Sequence, residues 1–324
     1  MSSWLLSVVE VAAAWWNVCT SGRGGAKPAT SVTPAGVVAL SGAGCISTFG
    51  SRGTGNGQFF SPRSVAFDGQ GNMAVSCHHR VQVFRYSDLS HLLSFGSEGR
   101  GNGQFDMPWG LAFDGHGHIV VADCGNHRVQ IFNTDGTHVR SIGSKGKGPH
   151  QLDAPCAVAC DGRGHVVVHD GGNGRLQVFQ LSDGAHVRSL CSLGSGAGQL
   201  DGWGGIAFDG DGNLFVCDRD NSRIQVFDYT SGNLLRSFGG LGNDIGQLDH
   251  PSGIALDSSG HVVVADTFNH RIEIFRGADG KHVRSIGKKG FGAGEFYFPD
   301  GVAIDGEGRV IVCDKDSHRL QVLQ

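Results

Sequence analysis

Sixteen histidines and nine cysteines raise the question of a metal or a nucleophile, and their spacing answers most of it. His165 and His169 stand four apart in "HVVVHD". On a strand that separation is about 13 Å, too far for one ion. Cys156 and Cys160 fail for the same reason, and the adjacent His78 and His79 point to opposite faces if the chain is extended. There is no CxxC pair and no legible Ser/His/Asp arrangement. The sequence therefore gives no catalytic residue, no cofactor and no metal set, although sixteen histidines keep a metal-dependent enzyme open as the alternative.

Residues suited to binding are better represented. Arg52, Arg100, Lys145, Lys147, Lys288 and Lys289 lie in glycine-rich stretches, and Arg63, Trp109 and Trp203 open apolar runs. Cations hold phosphates or carboxylates, and flat indole faces stack or anchor. The formal net charge of −4 excludes a globally basic nucleic-acid binder, so any basic site must be local.

These residues are placed by a repeat. "NHRVQIF" (126–132) and "NHRIEIF" (269–275) have looser copies at 78–84, 173–179, 221–227 and 317–323. Their arginines, Arg80, Arg128, Arg175, Arg223, Arg271 and Arg319, follow one another at intervals of 48, 47, 48, 48 and 48 residues. Gln58, Gln104, Gln151, Gln199, Gln247 and Glu295 keep the same beat. A fixed period in the forties signals a repeat architecture.

One copy reads as four short strands: "WGLAF", "HIVVA", "RVQIF" and "HVRSI", separated by Gly, Asp and Asn turns. There is no helical period and no room for a crossover helix. Such a four-stranded antiparallel sheet must bury both faces, and packing several around an axis does so. The expected fold is all-β, a six-bladed β-propeller over 45–324. The chain stops in a third strand, "RLQVLQ", whereas "CISTFG" at 45–50 resembles the fourth strands of later copies. Residues 45–49 are therefore expected to complete the last blade.

Residues 1–44 differ and are read as a poorly ordered extension. "WLLSVVEVAAAWW" (4–16) is too short to span a bilayer and lacks the positive lead of a signal peptide. Residues 20–36 read as a linker. No membrane association is expected. The scattered cysteines, several within strand patterns, read as small buried hydrophobes of a reducing, cytoplasmic compartment.

The stretch "GRGNGQFDMPWGLAFDGHGHIVVADCGNHRVQIF" (99–132) resembles the NHL repeat, and 242–275 and 290–323 are similar. The resemblance implies a six-bladed propeller used for binding, and is nearest to the C-terminal propeller of TRIM-NHL proteins. Those are RING-type ubiquitin ligases that bind RNA or protein partners. Nothing before residue 45 has zinc-ligand spacing or heptads, so ligase chemistry is not expected within this chain.

Comparison among the six copies separates frame from site. The recurring Arg and the strand-end Asp (Asp123, Asp170, Asp218, Asp266, Asp314) read as frame, paired across a tight connection. The first copy is one residue shorter, with Ser76 in the Asp place and Arg80 left available. The residue after Pro should ring the mouth of the axis: Arg63, Trp109, Cys156, Trp203, Ser252 and Asp300. The basic loops enter copies 6, 1, 2 and 3, so they form one arc, with His78, His79, His127, His270, Lys315 and His318 on the same face. The expected partner-binding residues are Arg52, Arg63, Arg80, Arg100, Trp109, Lys145, Lys147, Trp203, Lys288 and Lys289. The expected role is a monomeric, non-catalytic scaffold whose loop face takes a protein or a single-stranded or hairpin RNA.

Overall fold

The computed structural model describes residues 44–324, so the reading of the N-terminal extension lies outside the described residues apart from Gly44. Six four-stranded antiparallel sheets form six blades. Blade 2 shows the pattern: Pro108–Phe113 innermost, then His118–Asp123, Arg128–Asn133 and His138–Ile142 at the rim. The inner strands adjoin in chain order, and that of blade 6, Pro299–Ile304, returns to that of blade 1, Pro62–Phe67. As the sequence predicts, Cys45–Phe49 pairs antiparallel with Arg319–Leu323 and completes blade 6.

The core lies between blades rather than within one. Val120, Ala122, Val129 and Ile131 of blade 2 pack with Val158, Val166, Val168 and Phe179 of blade 3. Second strands are consequently buried on both faces, which explains runs such as "HIVVA" that do not alternate. The inter-blade loops are fastened by one fully buried residue each: Phe59, Phe105, Leu152, Leu200, Leu248 and Phe296.

Polar locks repeat with the blades. In blade 2 the Arg128 Nε donates to Asp123 Oδ2 at 2.8 Å, and its Nη2 donates to the carbonyls of Gly101 and Gln104. Gln130 donates to Gln104 O and Asp123 Oδ2 and accepts from Gly103 N–H. Asp123, though fully buried, is thus completely satisfied by partners that tie its strand to the preceding loop. The Arg–Asp pair recurs at 2.6–2.9 Å in blades 3 to 6.

Blade 1 corrects one sequence assignment. Cys77, not Ser76, pairs with Arg80 at the Asp register, because a two-residue turn replaces the usual four residues. Ser76 instead takes the place of Ala122 and donates to Trp109 O at 2.5 Å. Arg80 is not a free surface cation: its Nη2 donates to Gly55 O and Gln58 O, as its counterparts do.

Candidate functional site

The connections between second and third strands, and between one blade and the next, emerge on one face around the axis. There Arg63, Trp109, Cys156, Trp203, Ser252 and Asp300 all line a cavity of about 330 Å³, as the sequence predicts. They are not equivalent. Cys156, Ser252 and Asp300 are buried, whereas Arg63 and Trp109 are half-buried and Trp203 is 40% exposed. The Arg63 guanidinium lies 4.2 Å from the Trp109 ring centroid, and its Nη1 is 3.1 Å from Asp300 Oδ2. Trp109 and Trp203 approach to 6.3 Å between centroids. An acid, a cation and two indoles therefore run continuously around the mouth. The stacked, ion-paired guanidinium is pre-oriented, so little side-chain entropy is left to lose on binding.

Trp203 reaches this ring by an irregular route. Ile206 opposes Val216 as Ile254 opposes Val264, so Gly204 holds the mouth register and Trp203 holds the place of Pro155 or Pro251. The assignment of Trp203 to the residue after Pro is therefore off by one. The cause lies in blade 3. His169 stands where the other second strands have Ser76, Ala122, Cys217, Ala265 or Cys313, and it is fully buried with Nδ1 2.6 Å from Gly204 O. Room for the imidazole comes from the neighbour. The inner strand of blade 4 begins only at Ile206, and a Cβ at Gly204 would collide with Cys217 O. The Trp203 ring lies against Gly171, where any side chain would collide with it. Burial lowers the His169 pKa, which keeps the ring neutral with Nε2 lacking a hydrogen-bond partner. The signal was present in the sequence: the mouth residues are 47 apart before Trp203 and 49 apart after it.

The basic loops are only partly brought together as free charge. Arg100 and Lys145 are exposed and line a cavity of about 380 Å³ floored by Gly125–Arg128. Arg52 lies 5.2 Å from the Phe60 ring centroid, and the Lys147 side chain is exposed. Lys288, however, is paired with Glu295 at 3.3 Å, and Lys289 lies over Tyr297. The histidines of the repeat belong largely to the frame. The Nδ1 atoms of His127, His270 and His318 accept the backbone N–H of Ala154, Phe298 and Ser61 in the next blade. Among the described residues no group of three or more His, Cys, Asp or Glu is placed to hold a metal ion. No helix among them is long and apolar enough to cross a membrane. All eight described cysteines are free thiols.

Sequence reasoning missed the apolar side chains on the loops of two of the six blades. One loop position, fixed by parallel bridging to the buried anchor, holds Arg52, Glu98 and Lys145 in blades 1 to 3 and Lys289 in blade 6. At the same register blades 4 and 5 present Leu193 and Leu241, 56% and 71% exposed, with Ile245 beside them at 79%. The available signal was the pair of leucines in place of charge, not merely the absence of Lys and Arg.

A family profile described as the NHL repeat matches residues 105–132, 204–227, 248–275 and 296–323. No curated protein matches the sequence. Among solved structures, the chain is similar to a structural genomics protein of unknown function from Bacteroides thetaiotaomicron, with 17% identity, a TM-score of 0.64, and coverage of 87% of this chain and 76% of that one. It is also similar to a chain of a nidogen/laminin complex, at 17% identity and TM-score 0.56, covering 69% and 79% respectively. An auxiliary nutrient binding protein from Bacteroides thetaiotaomicron matches at 12% identity and TM-score 0.61, covering 82% and 69%. At such identities the likeness shows the fold alone. Four segments of the chain thus match the NHL repeat, and the chain folds as a six-bladed β-propeller.

Proposed function

We propose that this propeller is a non-catalytic recognition module whose loop face takes a protein segment combining acidic and large apolar residues. The observation that carries the reading is the single loop register that is charged in blades 6, 1, 2 and 3 and leucine in blades 4 and 5. Exposed large apolar side chains on the loops of two neighbouring blades are costly on a solvated surface and suit an interface. The basic arc steers an acidic segment, and Trp109 with Trp203 offers the rigid anchors that dominate interface energies. By resemblance to TRIM-NHL propellers, such a module would act as a scaffold in ubiquitin-ligase pathways.

A second reading, single-stranded RNA, draws support from the concavity between Arg100 and Lys145, which fits a phosphate, and from the indoles at the axial mouth, which offer faces for bases to stack on. The two are separated by selecting random peptides on the full chain and measuring anisotropy with a mixed RNA pool at two salt concentrations. The protein reading expects acidic-apolar peptides whose binding is lost in Leu241→Glu/Ile245→Glu and persists at high salt, weakened only by the loss of steering. RNA binding that collapses with salt and fails in Arg100→Ala/Lys145→Ala replaces it. A stoichiometric metal in elemental analysis of the purified protein would instead direct attention to enzyme chemistry.

A further inference from the structure

On the face opposite the loop face, the seams between blades 3 and 4 and between blades 6 and 1 are each closed by a tyrosine from the chain itself. Between blades 3 and 4, Tyr229 packs edge-on against Phe208, with ring centroids 4.9 Å apart. Its hydroxyl is 3.4 Å from Asp161 Oδ2, and Arg188 lies over its ring at 4.6 Å. Between blades 6 and 1, Tyr86 packs against Phe67 at 4.8 Å, donates to Asp305 Oδ2 at 2.8 Å and lies under Arg309 at 5.4 Å.

The groove between blades 4 and 5 has the same frame without the tyrosine, and there Arg236 lies 5.5 Å from the centroid of the buried Phe215 ring. The residue at the tyrosine register, immediately after the third strand, is Gly277. Its N–H donates to Gly260 O as Tyr229 N–H donates to Gly212 O, so the backbone runs alike in both. Arg236 stands at the register of Arg188, with Nε donating to Gly277 O, as Arg188 donates to the Tyr229 carbonyl. Asp209 corresponds to Asp161 and Asp305. Its Oδ1 is taken up by the turn, whereas Oδ2 receives only Asn213 Nδ2. Asp161 Oδ2 and Asp305 Oδ2 each receive one such local donor and then the phenol. The result is a cavity of about 820 Å³ walled by Phe208, Phe215 and Leu256. The groove between blades 1 and 2 has no such frame, since Leu93 stands in the arginine place.

We propose that the groove between blades 4 and 5 is a binding site for a phenol, the tyrosine side chain of a partner segment, which supplies in trans the ring that Tyr86 and Tyr229 supply in cis. The acceptor is Asp209 Oδ2, the cation beside the ring is Arg236, and the cavity in front of Gly277 admits the partner's backbone. The site is on the other face of the disc and does not depend on the loop-face reading.

The test is an NMR titration of the full chain with N-acetyl-tyrosinamide and N-acetyl-phenylalaninamide. The expected result is saturable shifts at the Gly260 and Gly277 amides, with the phenylalanine compound about tenfold weaker for want of the charge-assisted hydrogen bond. Asp209→Ala should weaken the tyrosine compound to the level of the phenylalanine compound. Gly277→Tyr should abolish both, because its own ring fills the groove. A Cβ at residue 277 would come within 2.7 Å of Gly260 O, so that variant requires a thermal-melt check. If it does not fold, the two compounds on the unaltered chain and on Asp209→Ala decide. Equal affinity for the two compounds, or no saturable shift at these amides, overturns the proposal.

Discussion

Blade 5 contains a polar lock with an extra carboxylate, and replacing Glu273 with Gln should stabilise the protein. In blades 2, 4 and 6 the corresponding Gln130, Gln225 and Gln321 donate both to a loop carbonyl and to the lock Asp. Glu273 has no N–H to give. Instead two fully buried carboxylates, Asp266 and Glu273, converge on the single Nε of Arg271 at 2.8 and 2.7 Å, with His282 Nε2 2.7 Å from Glu273. Burial raises the pKa of both carboxyl groups. Glu273→Gln regains two hydrogen bonds of about 1 kcal/mol each and removes a desolvated charge that costs several kcal/mol. It loses charge-assisted contacts to Arg271 and His282 of about 1.5–3 kcal/mol each. The net is about 1–2 kcal/mol in favour of Gln, or a rise in Tm of roughly 2–4 °C for a domain of this size.

The pH dependence supplies the sharper check. A carboxyl whose folded pKa exceeds its unfolded one holds more protons when folded, so its contribution is complete below the unfolded value and is lost as pH rises through the folded one. The advantage of Glu273→Gln should therefore be smallest near pH 4.5 and largest at pH 8. The assay is thermal unfolding by circular dichroism of both proteins across that range. A variant less stable than the parent at pH 8, or an advantage that grows towards acid, would refute the reasoning.

Three further outcomes follow from the same geometry. Burial, followed by the charge of Arg52, lowers the His318 pKa while its Nδ1 accepts from Ser61, so its contribution is present above about pH 6.5 and lost as pH falls through its lowered folded value; the Tm advantage of the parent over His318→Gln should shrink from pH 7.5 to 5.5. Phe49→Ala, which removes ring contacts to Phe59 and Phe84 at the closure, should cost about 2–3 kcal/mol in urea unfolding, and deletion of 45–49 should cause concentration-dependent association through the bared edge. At the mouth, Trp203→Ala should leave stability within about 0.5 kcal/mol, whereas Arg63→Ala strands the buried Asp300 and should cost about 3 kcal/mol, recovered in part by adding Asp300→Asn.

The blade count, the four strands of each repeat, the closing strand and the ring of mouth residues could all be read from period and register. The first two depend on contacts at a fixed spacing within one repeat, which write a periodic sequence, and the closing strand and mouth ring follow from the likeness of each copy to the others. What could not be read depends on departures from the repeat. The displacement of Trp203 requires His169, Gly171 and Gly204 together, and none of the three is informative alone. The groove at Gly277 is defined by the absence of a residue whose partners, Asp209 and Arg236, belong to the preceding blade. The shift from Ser76 to Cys77 follows from turn length, which a residue count along the chain does not resolve. The basic arc was legible as composition, but Glu295 and Tyr297 engage the two blade 6 lysines, and that reduction is visible only in space.

The pairing of Cys45–Phe49 with Arg319–Leu323 also sets a schedule for synthesis. The closing strand leaves the ribosome first among the described strands, yet its partner follows only after five complete blades and most of the sixth. At ordinary elongation rates the interval is on the order of tens of seconds. During that wait the five blades already made can collapse pairwise, because their cores are shared between neighbours, but the disc remains an open arc. Ser47 and Thr48 in the middle of the waiting strand make it a poor template for stray association. A ribosome that stops early therefore releases an arc with two unsealed blade faces rather than a smaller ring, which makes closure a structural record that translation reached the final blade.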